Sequence, residues 1–75
     1  MPDLSMQAKP KPLTPRQTEV LKWLAHGHSN KAIACAVGIS EATVKLHFNA
    51  LMRRLQASNR THALAIAVKH GLITL

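Results

Sequence analysis

The sequence predicts an all-α domain, a four-helix bundle that contains a helix-turn-helix. Three observations point there. Apolar residues recur at helical spacing in four successive runs, each with a capping residue in front and three with a glycine behind. No run alternates apolar and polar residues as a half-buried strand would. The second and third runs are joined by Gly38-Ile39-Ser40, a glycine-bearing turn of helix-turn-helix length. The chain has 75 residues, which leaves room for one core. A domain of this size buries only about 60% of its unfolded-chain surface.

Residues 1–12, MPDLSMQAKPKP, hold three of the four prolines and show no apolar period. They read as a flexible linker or an appended tail, with the domain spanning residues 13–75. The first helix opens on a capping box, Thr14-Pro15-Arg16-Gln17. The Thr14 hydroxyl can accept from an orphan amide, Pro15 needs no partner there, and Gln17 can reach back. Val20, Leu21 and Leu24, with Ala25 beside them, form its apolar stripe. Trp23 is expected to cover the edge of the core. Gly27 supplies the stop. A short second helix is expected from about Lys31 to Val37. Asn30 is the preferred N-cap and Ser29 the alternative. Ala32, Ile33, Ala36 and Val37 are expected to face inward, and Gly38 ends the helix.

Ser40 caps the third helix, and Glu41 sits in its first turn, where the positive helix end favours an acid. At 100° per residue, Val44, Phe48, Leu51 and Leu55 fall within about 60° of one another, which makes them the core face. Ala42, Leu46, Asn49 and Arg53 lie opposite, with Lys45 on the flank. That outer face is small, amide-bearing and cationic. A merely solvated helix usually mixes Glu with Lys for i,i+4 pairs. A face of this kind suits a DNA major groove, which admits one α-helix and presents base edges. The fourth helix follows Ala57-Ser58-Asn59, with Asn59 as N-cap, and runs to about His70 before Gly71. It is apolar nearly all round. A small domain cannot bury every side of such a helix, so the surplus side is expected to meet a partner.

Charge supports the same direction. Ten Lys and Arg oppose three acids, giving +7, and no acid follows Glu41. A one-signed field favours a polyanion, nucleic acid before an anionic membrane. With no Tyr and 3% aromatic residues, the chain has little to stack single-stranded bases upon. One cysteine, Cys35, allows no internal disulfide and fits a reducing, cytoplasmic compartment. The five histidines fall at scattered positions without zinc spacing, so no metal is expected. A Cys–His catalytic pair would need a cleft and an orienting acid, so no catalytic residue is assigned and the chain is not read as an enzyme. No glycine-rich phosphate loop is present, and no cofactor is expected. No apolar run approaches the ~18–20 residues of a membrane span, and the fourth helix has few bulky membrane anchors.

These pieces together resemble the LuxR-type (NarL/FixJ, GerE) helix-turn-helix DNA-binding domain of bacterial transcription regulators. LTPRQTEVL opens the first helix, and SNKAIA lies in the second. GIS followed by TVKLH leads into the third, RRL ends it, and R-x-x-A with a closing GLI marks the fourth. The resemblance implies a third helix that reads double-stranded DNA and a fourth that supports a homodimer on DNA. It implies base contacts at or near Lys45, Leu46 and Asn49; members vary at the outer positions Leu46, Asn49 and Arg53, and Arg53 is the fourth base-contact candidate. Asn49 could pair bidentately with adenine, Leu46 could touch a thymine methyl, and Lys45 suits a guanine or a phosphate. Lys31, Thr43, His47, Arg54 and Arg60 are the phosphate-contact candidates, and for His47 a packed position between helices is the competing reading. Thr61, Ala65 and Val68 are the expected dimer contacts. One departure from the family is Ala32, where members usually carry Glu; the variable outer positions of the third helix are the other, so the target sequence does not carry over. In the family an upstream receiver or sensor domain, absent from these 75 residues, controls the DNA surface, with two-component phosphorylation or a small ligand as the signal. The other reading is a helix-turn-helix scaffold used for protein contact, like the polymerase-binding end of a sigma factor, with RNA polymerase as partner.

Overall fold

The computed structural model describes residues 12–74. Apart from Pro12, the expected linker lies outside the described residues. Four helices follow: α1 (Pro15–Ala25), α2 (Asn30–Val37), α3 (Glu41–Leu55) and α4 (Arg60–Lys69). α3 is the central element, packed against each of the other three, and α1 also packs on α2. Among the described residues no strand is present, and no helix is long and apolar enough to cross a membrane.

Local chemistry sets the ends. At α1 both halves of the capping box are made: the Gln17 amide donates to Thr14 Oγ1 at 3.1 Å, and the Thr14 amide donates to Gln17 Oε1 at 3.0 Å. Gln17 is therefore buried without an orphaned carbonyl, which the apolar pattern did not anticipate. α2 begins one residue earlier than expected, and its cap is Ser29, whose Oγ accepts from the Ala32 amide at 3.2 Å. Asn30 is already helical, so its preferred role as cap is corrected. Both residue types qualify chemically, and the extended backbone at Ser29 decides. Ser40 and Asn59 cap α3 and α4 as expected, accepting from Thr43 and His62.

The turn between α2 and α3 depends on Gly38. Its φ is +81°, a region costly for residues with a Cβ. Its amide and that of Ile39 both donate to the Ala34 carbonyl, closing the helix tightly. Gln56 plays the same part after α3 at φ +56° without being glycine.

The core joins Val20 and Leu21 of α1, Ile33 and Ala34 of α2, Val44, Phe48, Leu51 and Leu55 of α3, Ala63 and Ala67 of α4, and Ile73. The four α3 residues are those the helical period selects. Trp23, Leu24 and Ala25 are half-buried at the core edge, as expected of Trp23. In α2 the inward set needs correction. Ile33 is fully buried and Ala34 nearly so, Ala32 and Val37 are half-buried, and Ala36 is exposed.

Candidate nucleic-acid interface

The helix-turn-helix presents one long face to solvent. Burying Val44, Phe48, Leu51 and Leu55 forces Ala42, Lys45, Leu46, Asn49 and Arg53 outward, and all five are exposed. Leu46 is 66% exposed, although leaving such a side chain in water forgoes the gain of burial. Thr43 and His47 flank this face and are half-buried. The Thr43 hydroxyl is 2.9 Å from Ser40 Oγ, so the start of α3 is internally braced. Lys31 stands exposed in the first turn of α2.

Among the described residues no acid neutralises the charges on this face. The ion pair among the described residues joins Arg16 and Glu19 of α1, at 3.9 Å and largely exposed. Such a pair contributes about 0–1 kcal/mol. Lys31, Lys45 and Arg53 have no acid partner among the described residues. Glu41, at the first position of α3, complements the helix dipole.

Two expected phosphate contacts already have internal partners. Arg54 is exposed, and its Nη1 donates to the Pro12 carbonyl at 2.8 Å, tying the end of α3 to the chain leading into α1. Arg60 is half-buried. Its Nη1 donates to Asn30 Oδ1 at 2.6 Å, and its guanidinium lies 3.9 Å from the centre of the Phe48 ring. Nothing in the local sequence reveals that second arrangement, which joins residues 30 positions apart. Thr61, Ala65 and Val68 are all exposed, on the side of α4 away from the fully buried Ala63 and Ala67. Cys35 is exposed on α2. Among the described residues no group of three or more His, Cys, Asp or Glu side chains could hold a metal ion.

A hollow of about 390 Å³ lies elsewhere, lined by Glu19, Lys22, Trp23, His26 and His28. The Trp23 and His28 rings meet edge to face there, with centroids 4.9 Å apart. It shares no residue with the face of α3.

A family model described as "Bacterial regulatory proteins, luxR family" matches residues 11–67. The chain belongs to the LuxR family. It is a helix-turn-helix DNA-binding domain of a transcription regulator. Among curated relatives, it is 48% identical over 60 residues to the uncharacterized transcriptional regulatory protein YhcZ of Bacillus subtilis, covering 80% of this chain and 28% of that protein. It is 44% identical over 73 residues to the quorum sensing-dependent transcriptional regulator RpaR of Rhodopseudomonas palustris, covering 91% and 30%. The crystal structure of the response regulator ChrA, from a heme-sensing two-component system, matches with a TM-score of 0.79 and 39% identity, covering 93% of this chain and 36% of that one. Escherichia coli SdiA matches with a TM-score of 0.77 and 33% identity, covering 84% and 26%. The chain thus spans less than a third of the length of these curated relatives.

Proposed function

We propose that the domain binds double-stranded DNA sequence-specifically as the output end of a response regulator, with α3 in the major groove. The observation that carries this reading is the outer face of α3, where Lys45, Leu46, Asn49 and Arg53 are exposed and, among the described residues, no acid is paired to them. Asn49 and Leu46 read base edges, Lys45 serves a base or a phosphate, and Arg53 reaches the bases near the end of the helix. Lys31, Thr43, His47 and Arg54 hold the backbones and set register rather than sequence. Two copies meet through Thr61, Ala65 and Val68 and address half-sites about one helical turn apart. The domain acts by binding, not catalysis, and works in the cytoplasm beside the DNA.

Control by a two-component receiver is supported by the match to ChrA. The similarity to RpaR supports a small-ligand sensor as the second reading. Selecting duplexes from a random pool with the parent domain tests the proposal. Enrichment of two related half-sites, about 10 base pairs centre to centre, is expected. If no sequence is enriched while RNA polymerase is bound, the scaffold serves protein contact instead.

A further inference from the structure

Arg60 stands where a cation is disfavoured. It is the first residue of α4, at the positive end of the helix, and that helix has no acid in its first turn. Partial burial lowers its pKa from the ordinary arginine value by desolvation. No acid among the described residues pairs with it. Its guanidinium is nevertheless fixed on two sides, by the Phe48 ring at 3.9 Å and the Asn30 amide oxygen at 2.6 Å. Phe48 is 0% exposed, so the flat cation also helps to cover the ring. Asn30 begins α2, Phe48 lies in the middle of α3 and Arg60 begins α4. One side chain therefore ties three helices together.

We propose that Arg60 is a positioning residue for DNA binding: it fixes the start of α2 against the middle of α3, so that Lys31 and Asn49 meet one duplex in register. This rests on the DNA-binding reading above. Arg60 then acts through its neighbours and touches no phosphate itself. The slot demands a planar, forked cation that both stacks and donates, which lysine does not supply.

Three substitutions test this in the 75-residue chain. Arg60→Met keeps the stem and an attractive contact to the ring. Arg60→Lys keeps the charge. Asn30→Ala removes the acceptor without uncapping α2, because Ser29 is the cap. Melting curves first fix a temperature at which every variant is folded. Dissociation constants are then measured across a salt series on the duplex enriched by the parent and on a scrambled duplex. Both Arg60 variants should weaken the enriched duplex by about ten-fold and leave the scrambled one near the parent, with the salt slope unchanged. Asn30→Ala should shift in the same direction, and the Asn30→Ala/Arg60→Met pair should bind no more weakly than Arg60→Met alone. A slope reduced by about one in Arg60→Met and restored in Arg60→Lys would overturn the proposal in favour of a phosphate contact. Parent-like affinity in all folded variants would overturn it in favour of packing alone. If the parent binds neither duplex, the DNA reading itself fails, and that is seen before any variant is measured.

Discussion

Asn49 projects from the middle of the exposed face of α3, one turn beyond Lys45. Arg54 lies on the flank, near where the chain enters α1. The two positions predict different losses. Asn49→Ala should cost about 1–3 kcal/mol on the preferred duplex, relax the choice at one base pair and leave the salt slope intact. Arg54→Ala should weaken all duplexes alike and reduce the slope by about one. Titrations on preferred and scrambled duplexes distinguish them. An equal loss on both duplexes for Asn49→Ala would remove Asn49 from the base readers. On the opposite face, Val44 is fully buried. Val44→Asp should cost several kcal/mol, a large share of the stability of a small domain, because the new carboxylate finds no partner there. Thermal melting checks this. The α3 face was legible in the sequence because its apolar residues are large and spaced at the helical period. The internal role of Arg60 was not, because charge alone places an arginine at the surface. Its slot depends on a ring and an amide from two other helices.

Elements differ in how plainly their ends and faces can be read. α1 carries a full capping box, and α3 has one cap candidate beside a glycine turn. α2 offered two adjacent candidates and a run of alanines. Alanine contributes little burial on any face, so the period was too weak to separate Ala34, which is inside, from Ala36, which is outside. The Ser29 cap is testable: Ser29→Ala should cost about 1 kcal/mol by leaving the Ala32 amide unpaired. An unchanged denaturation midpoint would place the cap elsewhere. α4 keeps Ala63 and Ala67 inside and leaves Val68 39% exposed beside Thr61 and Ala65. Ala65→Glu should therefore leave the domain folded and reduce cooperative binding to a two-half-site duplex, measured against a single half-site. Full cooperativity in that variant would exclude this face as the dimer contact.

Across the whole molecule, one architecture serves two demands. The central helix fills the core with one side and keeps its other side free, and the three surrounding helices brace it. The chain carries +7, and Lys31, Lys45 and Arg53 keep their charges unpaired among the described residues, although neutralising them internally would reduce self-repulsion. The DNA reading gives that excess charge a use: it is paired by phosphate when the duplex binds. Affinity is then set largely by released counterions, and discrimination by a few residues on α3. The most direct test is the salt dependence of duplex binding. With three to five phosphates neutralised per protomer, log K should fall against log salt with a slope of roughly −3 to −5 per protomer, on enriched and scrambled duplexes alike, with the enriched duplex bound more tightly at every salt concentration. A slope near zero, or equal affinity for both duplexes, would contradict sequence-specific DNA binding by this face.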